Sequence, residues 1–332
     1  MRARAYWTVT AGQGVITEEE LAPPGPGQAR VRTLTSGVSR GTELLVHRGE
    51  VPDSVAERMR APFQQGSWPG PVKYGYLSVG RVEAVGDPQD GDWVGRRVFC
   101  LHPHQDHYVV PLDALTPLPD DVPDDRAVLL GTMETAVNAV WDAQPAYGDR
   151  VAVVGAGMVG ACVTALLARM PLQRLELVDP DPARAALAGP LGARGVDPAQ
   201  AGDECDVVIH CSATQQGLQR AVDLLGDEAT VVEMSWFGDR PVTLDLGGAF
   251  HARRGRIVVS QVGTISPVRS ARRDHRARME LAAAALRDPA LDALLAGPTP
   301  FVRLPALMDE LAAGGAPGLC HVVHYEHTDD PS

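Results

Sequence analysis

Residues 155–160 read Gly155-Ala156-Gly157-Met158-Val159-Gly160, a G-x-G-x-x-G. The apolar run Val151–Val154 leads into it, and a helix-period stretch, Met158–Met170, leads out. Asp179 follows Gly160 by nineteen positions, at the end of the next apolar run, Leu175–Val178. That spacing suits one chemistry, the holding of a dinucleotide. Gly155 permits a tight turn, Gly157 lets backbone approach a pyrophosphate, and Gly160 lets helix and strand pack closely. The N–H groups of Met158 and Val159 would open a helix whose positive end attracts phosphates. Asp179 would accept hydrogen bonds from the adenosine ribose and repel a 2′-phosphate, which favours NAD over NADP; Arg184, nearby, weakens that preference. The competing reading is a glycine turn that binds nothing.

A second group of chemistry-bearing residues is Cys100-Leu101-His102-Pro103-His104-Gln105-Asp106-His107. Its ligand types would suit a metal. On a strand they alternate faces and cannot all converge, and that is the reading adopted. The five cysteines are too scattered for a disulfide framework or a four-thiolate zinc site, which points to a reduced, cytoplasmic protein. Cys211 reads as a small packed side chain. Arg269–Arg278 is arginine-rich and reads as a solvated helix face, and Lys73, the sole lysine, as a solvated position.

Acidic residues outnumber basic ones 42 to 30, for a formal charge of −12. Such a chain repels phosphate backbones, so nucleic acid is not an expected partner. No apolar run nears the ~20 residues of a membrane helix, and the N-terminus lacks a secretory apolar block. The 332 residues suit two domains.

The elements that must position these residues fall into two patterns. Up to about residue 115, short β-rich segments (Ala29–Thr35, Leu77–Val85, Arg97–Leu101) alternate with Gly/Pro turns, as in a small barrel or sandwich. A helical pattern runs from Arg126 to Asp142. Strands and helices then alternate: Val151–Val154, Leu175–Val178, Asp206–His210, Thr230–Glu233 and Arg256–Ser260, with helices Pro182–Ala188 and Gln215–Leu225 between. That alternation implies a parallel sheet. Arg269–Leu286 reads as a helix, and Pro300–Leu304 and Leu319–Tyr325 as strands flanking a short helix in a returning tail.

The order of parts resembles the medium-chain dehydrogenase/reductase family, which includes the zinc alcohol dehydrogenases. The residues that carry the resemblance are Ser36-Gly37-Val38-Ser39-Arg40-Gly41-Thr42-Glu43, Gly75 to Gly86, Thr135-Ala136-Val137-Asn138-Ala139 and the glycine fingerprint. The segment Ser39–Glu43 is most similar to the branch containing bacteriochlorophyllide a dehydrogenase. The resemblance implies an α/β chain: a GroES-like β-rich catalytic domain, 1–132 plus 264–332, and a Rossmann doubly wound domain, 133–263. It also implies that Thr135, Trp236 and Gln261 border the nicotinamide, that Ser212 lies near the adenosine ribose, and that the protein is a homodimer.

The chain departs from the family at the metal. Arg40 stands at the position of a cysteine ligand, with Ser39 as the alternative. Tyr76 stands where a histidine would be, with Leu77 after it, and Gly131 falls at the third position with Glu134 nearby. Arginine cannot ligate zinc, Tyr, Leu and Gly supply none of its usual nitrogen, sulfur or carboxylate ligands, and the four closely spaced cysteines of a structural site are absent, so neither a catalytic nor a structural zinc is expected. Arg40 is then a candidate for charge stabilisation, and Tyr76, His102 and Glu134 for acid–base work. Equally, Arg40 would pair with Glu43 or Glu134 as structural glue, and Tyr76 would fill the empty metal site. The function read from all this is zinc-independent, NAD(H)-dependent interconversion of a polar secondary alcohol, a small-molecule substrate, and its ketone. Reduction of an activated C=C bond and non-catalytic NAD(H) binding are the alternatives.

Overall fold

The computed structural model describes residues 1–326. The chain divides into two compact units, Met1–Gly131 joined by the chain from Leu295, and Thr132–Leu294. The first unit is β-rich and antiparallel, apart from one parallel pair at a sheet edge. Its strand Gln28–Ser39 is the spine of a seven-stranded sheet. One side pairs along its length with Ser78–Val85. The other side is shared: Gln28 to Arg32 pair with His107–Pro111, and Thr35 to Ser39 with Cys320–His324. At Ser39 the spine runs straight into the helix Arg40–His47, so the residues at the expected metal position sit on a strand–helix junction. A smaller four-stranded sheet contains the hairpin Arg2–Thr10 and Gln13–Glu20.

The tail joins this unit at Leu295, later than the expected 264; the last six residues of that expected segment lie outside the described ones. Its strand is Leu295–Pro300. Pro300–Leu304 is not a strand: residues 301–303 form a 3-10 turn and Leu304 opens the helix Leu304–Ala312. Leu304, Leu307, Met308 and Leu311 are all buried in one cluster with Phe301, the helical spacing that a short apolar run conceals.

The second unit is a six-stranded parallel sheet. Its order is Arg194–Val196, Arg174–Val178, Arg150–Val154, Cys205–His210, Leu225–Glu233, Arg256–Val259. In chain order this is 3-2-1-4-5-6, the doubly wound dinucleotide-binding order. Val151, Ala152 and Val153 are fully buried, as a strand covered on both faces requires. The edge strand Arg194–Val196 carries no apolar run and was not legible in the sequence. Glycine is needed at 195, because a Cβ there would overlap the Ala185 carbonyl oxygen. The helix expected from 126 is broken into Asp124–Ala127 and Leu130–Ala143. The helix expected from 269 begins only at His275, where Asp274 accepts the Ala277 N–H at 2.8 Å as its cap. Among the described residues no helix is long and apolar enough to cross a membrane.

Candidate functional site

Strand order reverses between Arg150–Val154 and Cys205–His210, and the glycine loop lies at that point. Gly155 has φ +106°, which a side chain would strain, and a Cβ there would stand 2.7 Å from both N and Cα of Ser212. A Cβ at Gly160 would overlap the Gly155 carbonyl oxygen. Gly157 differs: a Cβ there would meet nothing within 4 Å. It is the N-cap of the helix Met158–Leu167, no side chain caps that helix, and its first turn holds no acidic residue. The loop therefore presents open backbone on a helix N-terminus, the surface a pyrophosphate needs.

Asp179 is buried at the end of Arg174–Val178 and organises the loop from beneath. Its Oδ2 accepts the Ala156 N–H at 2.8 Å and its Oδ1 the Asp181 N–H at 3.0 Å. Arg184 lies 3.6 Å from Asp181, half-exposed. Ser212 borders Gly155 and bonds to His210 and Thr214. Trp236 is half-buried in the segment after Leu225–Glu233, and Gln261 is exposed, its side chain accepting the Gly263 N–H at 2.6 Å. Thr135 is half-buried on the helix Leu130–Ala143.

Glu134 is held in a buried ion pair. Its carboxylate accepts from Arg278 Nε at 3.0 Å and Nη2 at 2.8 Å, and burial raises its pKa despite the guanidinium. Arg278 is not solvated either, since it is only 1% exposed. It also donates to Asn138 Oδ1 at 2.7 Å and to the carbonyls of Val262 and Thr264 at 2.6 and 3.1 Å. Asn138 in turn bonds Ser260 Oγ at 3.2 Å and accepts the Ser266 N–H at 3.1 Å. This buried hub ties the 260–266 segment to the helix Leu130–Ala143.

In the first unit Arg40 bonds to the segment that precedes the strand Cys320–His324. Its Nη1 donates to the carbonyls of Ala316 at 3.0 Å and Gly318 at 3.4 Å, and neither Glu43 nor Glu134 is its partner in those bonds. The Tyr76 hydroxyl donates to Ser39 Oγ across a very short contact. Burial pushes the Tyr76 phenol up to about 12, with Glu43 adding to the rise, so it is protonated at neutral pH. Beneath the pair runs a buried polar chain absent from the sequence reading. Glu43 accepts the Ser39 N–H at 2.7 Å and contacts His104 Nε2 at 2.9 Å; His104 Nδ1 lies 2.7 Å from Ser36 Oγ, which lies 2.9 Å from the Tyr325 hydroxyl. The two bonds of His104 join residues 61 and 68 positions apart, so no local pattern announces them.

His102 is a core residue. It stacks on Tyr108 with centroids 3.8 Å apart, and burial drives its imidazole down to about 3, leaving it neutral and unsuited to proton transfer. The remaining members of 100–107 diverge: His104 to Ser36 and Glu43, Asp106 to Arg4, and His107 to Asp106 and Glu83. Among the described residues no three His, Cys, Asp or Glu side chains are grouped to hold a metal. Lys73 is buried, bonded to Glu19 at 2.7 Å and Gln105 at 2.9 Å, not solvated.

At the three positions where the resemblance expects zinc ligands stand Arg40 (or Ser39), Tyr76 and Gly131, a guanidinium or a hydroxyl, a phenol kept protonated by burial and a residue with no side chain, none of them a usual zinc ligand. A Cβ at Gly131 would stand 2.8 Å from a terminal methyl of Leu77, in a pocket lined by apolar side chains. A dinucleotide does fit. The open Gly157 backbone would take the pyrophosphate, Asp179 the ribose, and a bound nicotinamide would supply hydride chemistry.

No family model matches the chain. It is 24% identical over 185 residues to the starvation-sensing protein RspB of Escherichia coli, covering 47% of this chain and 50% of that one. It is 24% identical over 211 residues to the L-threonine 3-dehydrogenase of Deinococcus radiodurans, covering 57% and 60%. It is 29% identical over 266 residues to an alcohol dehydrogenase of Cupriavidus necator, covering 69% and 71%. The matches thus span half to about two-thirds of these relatives. In three dimensions the chain aligns with a crystal structure of E. coli rspB, described as a short chain alcohol dehydrogenase complexed with NADH (TM-score 0.78, 18% identity, 98% of this chain and 99% of that one). It aligns similarly with a putative zinc-binding dehydrogenase from Sinorhizobium meliloti bound to NADP (TM-score 0.77, 17% identity, 98% and 99%). The chain has the fold of these alcohol dehydrogenases: α/β, with a β-rich antiparallel unit and a doubly wound parallel one.

Proposed function

We propose that this protein is an NAD(P)-dependent dehydrogenase that interconverts a secondary alcohol and its ketone, prefers NAD, and uses no zinc. The observation that carries the reading is the dinucleotide loop: open backbone at Gly157 on an uncapped helix, with Asp179 buried at the end of the second strand. The likeness to NADH- and NADP-complexed dehydrogenases supports the same class. Asp179 favours NAD, because a carboxylate repels a 2′-phosphate. Fluorescence titration should show tighter binding of NADH than NADPH. Asp179→Asn, which keeps the shape and removes the charge, should narrow that gap by about tenfold. Equal affinities in the unaltered protein would defeat the NAD preference.

Tyr76 is the proposed proton donor. An alkoxide formed on hydride arrival is more basic than a phenolate, so the Tyr76 phenol, with a pKa of about 12, passes its proton to it and the phenolate regains one from water; in alcohol oxidation the same two transfers run in reverse. Ser39 orients the phenol, and Glu43 orients Ser39 through its N–H. Tyr76→Phe should lower kcat by about a hundredfold with cofactor affinity unchanged, and chelators should leave turnover intact. One zinc per chain with chelator-sensitive turnover would sink the metal-free reading. Arg40 Nη1 donates to the carbonyls of Ala316 and Gly318, and the proposal assigns it no substrate contact. The same proposal takes the protein as a cytoplasmic homodimer acting on a small molecule. Free cysteines support a reducing compartment, and the open edge strand Arg256–Val259, with Val259 73% exposed, offers a pairing surface.

A further inference from the structure

The six parallel strands fall into two halves, and the last strand of the second half, Arg256–Val259, runs into a turn. Ser260 still follows the sheet, its N–H bonding the Glu233 carbonyl at 3.0 Å. The chain then doubles back over residues 261–264, where the Gln261 carbonyl accepts the Thr264 N–H at 3.3 Å. Gln261, Gly263 and Thr264 are exposed, but the side chains that hold this turn are not. Arg278 and Asn138 are each 1% exposed. Arg278 Nη2 donates to the Val262 carbonyl at 2.6 Å and its Nη1 to the Thr264 carbonyl at 3.1 Å. Asn138 donates to Ser260 Oγ at 3.2 Å and accepts the Ser266 N–H at 3.1 Å. The turn is therefore fixed at two of its carbonyls and at both flanks, from the helices His275–Ala285 and Leu130–Ala143.

We infer that Arg278 and Asn138 are positioning residues of the cofactor site, holding the turn 261–264 in the conformation that the nicotinamide half of the dinucleotide meets. The inference rests on the dinucleotide reading above. In a 3-2-1-4-5-6 sheet each half takes one nucleotide, and the ligand lies outside the carboxyl ends of the strands. Asp179 follows the second strand of the first half and in that reading takes the adenosine ribose. The other nucleotide then lies over the carboxyl ends of the second half, Cys205–His210, Leu225–Glu233 and Arg256–Val259. The turn 261–264 continues from one of those ends.

The bonding of Arg278 serves direction more than anchorage. Nε and Nη2 meet Glu134, Nη1 meets Asn138, and the remaining hydrogens of Nη1 and Nη2 meet Thr264 and Val262, which uses every N–H donor of the guanidinium. A planar fork satisfies so many acceptors at once only when they stand in one arrangement. Anchorage alone needs no such network. Burying a guanidinium, a carboxylate and an amide carries a desolvation cost, and packed apolar side chains would tie helix to loop at least as firmly. Glu134 offsets the charge of Arg278, and the turn receives the directional bonds that are left.

The test compares calorimetric affinities for NADH and for ADP-ribose, the same ligand without its nicotinamide ring, with a thermal melt of each protein. The unaltered chain should bind NADH about tenfold more tightly than ADP-ribose. Arg278→Lys keeps a cation beside Glu134 but has too few donors, and no planar fork, to hold both turn carbonyls as well. It should weaken NADH by about tenfold and ADP-ribose by less than about twofold, so that most of the difference between the two ligands disappears. Retained ADP-ribose binding shows that the sheet and the glycine loop are intact, and a merely structural role for Arg278 would not spare one ligand and penalise the other. Asn138→Ala, which leaves the Arg278–Glu134 pair in place and frees Ser260 and the Ser266 N–H, should act in the same direction, and it decides if Arg278→Lys does not fold. Equal affinities for the two ligands in the unaltered protein, or variants that keep the unaltered ratio, overturn the inference while leaving the cofactor reading standing. Failure of the unaltered protein to bind either ligand overturns that reading and this one together.

Discussion

Arg278→Met should destabilise the protein by about 3–5 kcal/mol, among the largest losses open to a single side chain here. The guanidinium is 1% exposed and supplies both hydrogen bonds to one oxygen of the Glu134 carboxylate. Removing it leaves a buried carboxylate without its counter-charge, which must either stay ionised at great cost or take up a proton. The same change releases the carbonyls of Val262 and Thr264 and one acceptor contact of Asn138. A thermal melt should show a fall of about 10 °C. The double replacement Arg278→Met with Glu134→Leu should recover a good part of it, because an apolar pair of similar volume avoids the desolvation cost. A single-variant loss below about 1 kcal/mol would mean that water or other groups satisfy Glu134 without Arg278.

Gly157→Val should separate folding from function. A Cβ at 157 meets nothing within 4 Å and the backbone φ is −78°, so the loop can take a side chain without strain. The loss in stability should be about 1 kcal/mol, the difference between a good and a poor N-cap. A branched side chain there would, however, stand where a pyrophosphate needs bare backbone. NADH affinity should fall by about a hundredfold or more, read by fluorescence titration on a protein whose melting temperature has barely moved. Unchanged affinity would place the cofactor elsewhere. Valine at Gly160 makes the contrast, because its Cβ would collide with the Gly155 carbonyl and disturb the fold itself.

What the sequence made legible was whatever depends on neighbours in the chain. The glycine loop, its preceding strand and the acid nineteen positions on are a local pattern, and the structure places them together. The strands of the parallel sheet announce themselves as apolar runs, except Arg194–Val196, an edge strand with nothing apolar until Val196. Burial of charge was not legible. Arg278 sits in a run of arginines that reads as solvent-facing, and its partner Glu134 lies 144 positions away. The Glu43–His104–Ser36 chain was hidden for the same reason. The strands Cys205–His210 and Leu225–Glu233 do show one such pairing in the sequence, since each closes an apolar run with a polar residue at the same depth.

The spine strand Gln28–Ser39 has a consequence for the order in which the protein can be finished during synthesis. Half of one edge is covered by Cys320–His324, which leaves the ribosome roughly 15 to 60 seconds after Ser39 does. The stretch Thr132–Leu294 is continuous and can complete its own sheet in that interval. The first unit cannot, and it waits with Thr35 to Ser39 unpaired on that side, an open template for any other strand. Ser39, which holds the Tyr76 hydroxyl, therefore begins life on an uncovered edge of the nascent chain and is secured only when Cys320–His324 arrives.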